Sequence, residues 1–109
     1  MRGTVDPKRP LVWSREAVSD LAEIWTYYAE AAKSETADNI VRNIDRVCRL
    51  LDDHPLAGRA RDELRPGIRS IAARPHVVFY RITETATEIV RVLDGRRDLD
   101  DIFAAEPGA

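Results

Sequence analysis

The sequence predicts an α+β domain: an antiparallel sheet of three to four strands packed against an α-helical hairpin, ordered β-α-α-β-β-β, with a short C-terminal helix. Three observations point to it. Between Arg15 and Pro55, apolar residues recur at three- and four-residue spacings, the period of two amphipathic helices. Beyond Gly67 the period changes, and three runs rich in β-branched and aromatic residues follow one another. At 109 residues, 44% apolar and 33% charged, residues 1–109 have the length and composition of a single folded domain and not of a disordered tail.

Residues 1–9 are polar, with Gly3, Pro7 and clustered charges, and read as a flexible arm. Leu11–Trp13 is a short apolar run that suits a first strand. Ser14 is placed to cap a helix, Glu16 sits favourably at the positive end of its dipole, and Ala17, Val18, Leu21, Ile24, Trp25, Tyr28 and Ala32 form its apolar stripe. That helix is expected over about 15–32. Ser34 or Thr36 caps a second, whose stripe is Ala37, Ile40, Val41, Ile44, Val47, Cys48 and Leu51. It must end before Pro55, because a residue ahead of proline is pushed out of helical geometry. So short a link makes the two helices antiparallel.

Pro55 to Gly67 carries proline and glycine at both ends and reads as a connection, with one helical turn at Asp62–Leu64. Ile68–Ala73, His76–Thr83 and Thr87–Leu93 then form a meander, since their links are short and polar. Gly95 ends the last strand, and Asp98 caps a short helix through Phe103, leaving 104–109 as a flexible tail. Along the middle strand Val77, Phe79 and Arg81 point one way and Val78, Tyr80 and Ile82 the other, so both faces carry apolar residues. With helices on one side only, the second face is expected to stay open, an apolar surface rimmed by arginine and suited to binding.

The net charge of −2 excludes the basic body of a protein held by nucleic-acid phosphates. Yet the bases are almost all arginine, with Lys8 and Lys33 the lysines, and Gly58 to Arg81 holds Arg59, Arg61, Arg65, Arg69, Arg74 and Arg81 against Asp62 and Glu63. The planar guanidinium fork suits carboxylates and phosphates, although a GC-rich genome with solvated arginines gives the same composition. There is no glycine-rich phosphate loop, nucleophile elbow, HExxH or paired-cysteine metal site. His54 and His76 read as structural, and Cys48 as a buried thiol. The single cysteine agrees with a reducing compartment, no run is apolar enough for a membrane span and the N-terminus lacks a secretory signal, so a cytoplasmic location is expected.

Two kinds of site remain. Arg69, Tyr80, Arg81 and Arg91 fall on neighbouring strands, where converging arginines can stabilise a cleaved phosphodiester; the proton acceptors nearest by sequence are Asp94 and Glu88. Alternatively, Leu21, Trp25 and Tyr28 either fill the core or line a groove for an amphipathic segment, and Trp13 and Trp25 are the large aromatics suited to anchor an interface.

Several motifs occur in a specific order: W-S-R-E-A from Trp13, D-L-x-x-I-x-x-Y over Asp20–Tyr27, P-x-x-G-R at Pro55–Arg59, E-L-x-x-G-I-R-S over Glu63–Ser70, V-F-Y-R at Val78–Arg81 and R-V-L-x-G-R-R-D over Arg91–Asp98. In this the chain resembles the ParE branch of the RelE/ParE superfamily of bacterial toxins, also called plasmid stabilisation proteins. The resemblance implies the toxin of a type II toxin-antitoxin pair, wrapped and neutralised by the C-terminal segment of a ParD-like antitoxin. ParE toxins act on DNA gyrase, whereas the RelE branch cleaves messenger RNA on the ribosome. Carried over by position, the family's arginines correspond to Arg69, Arg81, Arg91, Arg96 and Arg97, though Asp98, Asp100 and Asp101 are close enough to engage the last two locally. Asp94 stands where such sequences often have histidine, which argues against imidazole chemistry or leaves a carboxylate to bond the following Gly-Arg turn. The expectation is a non-catalytic, protein-binding toxin with gyrase as target, no metal or cofactor, no membrane contact and no sequence-specific DNA binding of its own. A ribosome-dependent endoribonuclease is the alternative.

Overall fold

A computed structural model describes residues 10–105; the expected arm at 1–9 and residues 106–109 of the expected tail lie outside them. The elements run β1 (Leu11–Trp13), α1 (Arg15–Ala31), α2 (Ser34–Asp53), β2 (Arg59–Ala60), β3 (Arg69–Ala73), β4 (His76–Ile82), β5 (Thr87–Asp94) and α3 (Leu99–Ala105). Ser14 caps α1, its Oγ accepting from the Ala17 N–H at 3.0 Å, and Glu16 lies in the first turn. In α2 the residues at helical spacing, Ala37, Ile44, Cys48 and Leu51, are the buried ones, and the helix stops at Asp53, ahead of Pro55.

The strands form one sheet in the order β1-β5-β4-β3-β2. β3, β4 and β5 make the expected antiparallel meander. The sheet nevertheless has five strands and is mixed, because β1 pairs parallel with β5. The direction follows from what β1 leads into. Beyond Trp13 the chain continues along the edge of β5: Ser14 donates its N–H to Ile89 O at 2.9 Å and its Oγ–H to Val90 O at 2.8 Å, and further along α1 Asp20 accepts the Val92 N–H at 2.9 Å. A chain that satisfies successive groups of β5 towards its C-terminal end has to run in the same direction.

β2 lies within the segment read as a connection. Its two exposed residues pair with β3, and Tyr80 fixes the approach by accepting the Gly58 N–H at 2.9 Å and donating to Pro55 O at 2.7 Å. A Cβ on Gly58 would lie 2.5 Å from Ser70 O, so glycine is required there. Asp62–Leu64 forms the expected single turn, closed by the Leu64 and Arg65 N–H groups on Arg61 O at 2.9 and 3.3 Å and not continued into a helix.

One core lies between helices and sheet, where Ala17, Ile44, Cys48 and Leu51 meet Val78, Tyr80, Ile89 and Val92. The other face corrects the expectation of an open surface. Ile68, Phe79 and Leu93 are covered there by Phe103, with Leu64, Leu99 and Ile102 packed around them. Leu99, Ile102 and Phe103 share one side of α3, whose first turn is held by the Asp101 N–H on Asp98 Oδ1, and the helix continues past Phe103 to Ala105. Phe103 meets Phe79 edge-on with ring centroids 4.9 Å apart, and Arg61 and Arg65 stack over Phe79 and Phe103. Three apolar side chains on two turns of helix therefore close what longer helices leave bare.

Candidate functional site

The sheet arginines do not converge on one another. β5 carries an extra residue, Val90, between the pairs Phe79–Arg91 and Tyr80–Ile89, and such a bulge re-aims a side chain. Arg91 meets Asp20 of α1 in a bidentate pair, Nε to Oδ2 at 2.8 Å and Nη2 to Oδ1 at 2.9 Å, with both side chains largely buried. Arg81 donates to Glu88 Oε1 at 2.6 Å across the β4–β5 ladder. Arg69 reaches Gly58 O at 2.6 Å and Leu56 O at 3.3 Å, tying down the segment before β2. Each of the three thus has protein acceptors of its own.

Two concave surfaces flank α1 and gather most of the remaining expected residues. The first is a groove of about 410 Å³ between β1, α1 and α2. Trp13, Leu21 and Trp25 line it with Val41, and Asp38, Arg42 and Asp45 rim it. Leu21 and Trp25 are one helical turn apart, and Trp25 is half exposed, its Nε1–H donating to Asp38 Oδ1 at 2.8 Å. Arg42, Arg46 and Arg49 continue from this rim along the outer face of α2, bonded to Asn39, Asn43 and Asp45 of the same helix. Sequence reasoning placed Val41 on the apolar stripe of α2 but assigned neither it nor the α2 charges to this groove.

The second is a cleft of about 550 Å³ on the other flank of α1, beside the paired ends of β4 and β5. Tyr28, Arg96 and Arg97 line it, together with Tyr27, His76 and Asp94, which sequence reasoning did not assign to a binding surface. The α1 residues Asp20, Ile24, Tyr27 and Tyr28 fall at three- and four-residue spacings, the signal that would have grouped them. Tyr28 stands edge-on to Tyr27 and to His76, with centroids 5.1 and 6.1 Å away. Asp94 closes the turn after β5: it accepts the Arg96 N–H at 2.9 Å and pairs with the Arg96 guanidinium at 3.0 and 2.9 Å. These bonds hold its carboxyl far below the usual carboxylate range.

His76 is 4% exposed, and its Nδ1 is sealed without a hydrogen-bond partner. Burial lowers its pKa, opposed by nearby Asp94 and reinforced by Arg96, so the neutral ring is favoured. Cys48, deep under α2, has its thiol pushed up to about 12 by burial and by Asp45. It is inert at neutral pH. Among the described residues no group of histidine, cysteine and acidic side chains has the geometry to hold a metal ion.

The sequence profile of the family described as "ParE toxin of type II toxin-antitoxin system, parDE" matches residues 11–99. The chain is 38% identical over 85 residues to Toxin ParE1 of Caulobacter vibrioides, covering 78% of this chain and 88% of that one. To Toxin ParE1 of Mycobacterium tuberculosis it is 36% identical over 88 residues, covering 80% and 90%. A chain of the chromosomal ParDE TA system from P. aeruginosa shares the fold with a TM-score of 0.73 at 24% identity, over 82% of this chain and 98% of that one.

Proposed function

The chain belongs to the ParE toxin family of type II toxin-antitoxin systems, and from that premise we propose that it is a non-catalytic toxin that inhibits DNA gyrase and is neutralised by a ParD-like antitoxin. The observation that carries the non-catalytic part is the engagement of the sheet arginines. Arg81, Arg91 and Arg69 each hold a protein acceptor, and α3 lies over Phe79 on the second face of the sheet. A ribonuclease would need these guanidinium groups free to meet a phosphodiester and a base beside them. Glu88, one acceptor near by sequence, is bonded to Arg81, and Asp94, the other, is held by Arg96 and is far too weak a base.

The antitoxin reading rests on the groove at Trp13, Leu21 and Trp25. Its apolar floor and the arginines along α2 match an amphipathic, acidic partner segment: apolar side chains enter the groove and carboxylates face Arg42 and Arg46. The structural neighbour in the ParDE system supports the same pairing.

A gyrase supercoiling and cleavage-complex assay with the purified chain tests the target. Inhibition at stoichiometric toxin, relieved by a ParD-like antitoxin, is the expected result. No inhibition at excess toxin, with codon-registered messenger RNA cuts after induction, would replace gyrase with the ribosome as target.

A further inference from the structure

The cleft beside His76 is not used by the reading above, and its free groups, Glu23 apart, are donors. Asp20 is consumed by Arg91 and the Val92 N–H, and Asp94 by Arg96. The Nδ1 of His76 is sealed, and a sealed lone pair is less costly than a sealed N–H. On that ground the proton of the neutral ring is assigned to Nε2, and His76 lines the cleft. Arg97 and Tyr28 line the same space, on which aromatic and aliphatic side chains border. The cleft thus presents donors around an apolar wall, with Glu23 as its remaining charged acceptor.

We infer that this cleft receives one carboxylate side chain of the antitoxin segment, held between Arg97 and His76, as a second anchor separate from the tryptophan groove. This rests on the reading of the partner as an acidic antitoxin. A carboxylate fits better than a phosphate monoester, because Asp20, Glu23 and Asp94 all line the cleft and repel the second negative charge that a monoester carries. The path between the anchors is open. Leu21 and Trp25 face one flank of α1 and Ile24 and Tyr28 the other, while Ser19, Ala22 and Thr26 line a shallow depression on its outer side. An extended strap of about five residues crosses a helix of this diameter.

The test uses the intact chain and its ParD-like antitoxin. Arg97→Gln and His76→Phe are each expected to weaken binding about tenfold, additively with Leu21→Ala in the groove, which lies far enough away to act independently. Binding by both variants within about twofold of the unmodified chain overturns the inference while leaving the antitoxin reading intact. Titrating the labelled chain with acetyl-Leu-Glu-Leu-amide gives a second measure that needs no antitoxin. The expected result is movement of the His76 and Arg97 side-chain NMR signals, with little movement for the Gln analogue. Equal response to both peptides, no response, or tighter binding of inorganic phosphate or a short oligonucleotide each overturns it. Failure of the intact chain to bind the antitoxin at all sinks the function reading instead, and the peptide titration then decides the cleft alone.

Discussion

Replacing Asp20 by alanine removes three hydrogen bonds with one carboxylate: two from Arg91, at 2.8 and 2.9 Å, and one from the Val92 backbone at 2.9 Å. The partners' side chains are only 10% and 17% exposed, so water cannot replace what is lost. Breaking a largely buried pair from one side costs about 3–5 kcal/mol. The Val92 N–H left bare costs about 1–3 kcal/mol by itself, and since both share the carboxylate they overlap, leaving about 4 kcal/mol in total. A domain of this size is stable by about 5–15 kcal/mol, so the variant approaches unfolding. With a urea slope of about 1–3 kcal/mol per molar, the midpoint should fall by roughly 1.3–4 M. Asp20→Asn keeps an acceptor for Val92 and should lose about half as much. In a double-mutant cycle with Arg91→Met, the coupling should reach at least about 1.5 kcal/mol. Additive effects, or a loss below about 1 kcal/mol for Asp20→Ala, would refute the view that Arg91 is held for folding and not for a partner.

Three further outcomes follow from buried groups. Burial lowers the pKa of His76 from its ordinary 6.5, so on acidification the unfolded chain takes up this proton first; stability is lost as pH falls through 6.5 and levels off once the native ring is charged. In His76→Phe the drop in urea midpoint between about pH 7 and 5 should shrink, and an unchanged slope contradicts the assignment. Tyr80→Phe removes the bonds to Gly58 N–H and Pro55 O and should cost about 2 kcal/mol, measured by urea unfolding, while Gly58→Ala should do worse because its Cβ meets backbone; a variant as stable as the parent counts against both. Cys48, with its thiol raised to about 12, should react with a thiol reagent only as fast as the chain unfolds, and rapid labelling in native buffer is the opposing result.

The helices and the meander were legible because both are periodic over many residues. Ile44, Cys48 and Leu51 lie on the buried side of α2 as their spacing requires, and along β4 Val78, Tyr80 and Ile82 face the helices while Val77 and Phe79 face α3. What was not legible is short or non-local. β2 has two residues and no period, and the direction of β1 depends on Ser14 and Asp20 meeting β5, far away in sequence. The site divides in the same way. Leu21 and Trp25 share the groove because they are one turn apart, and Trp13 joins them from the strand that precedes α1. The arginines were grouped by strand adjacency alone, which says nothing of their acceptors: Asp20 lies on a helix, and Leu56 and Gly58 contribute backbone carbonyls.

The closure of the second face moves the binding problem from the sheet to α1. A sheet face with Phe79 and Leu93 bare would have given a partner its largest apolar target; with Phe103 on it, that area is already removed from water. Among the large apolar side chains still exposed, Val18, Trp25 and Tyr27 belong to α1, and the groove and the cleft lie on its two flanks. Only a segment that wraps the helix can use both hollows, since α1 itself stands between them. A rigid domain pressed against one side reaches a single hollow and buries less. The geometry therefore favours a partner that arrives extended and orders on contact, a mode that gains area at the cost of the segment's conformational entropy.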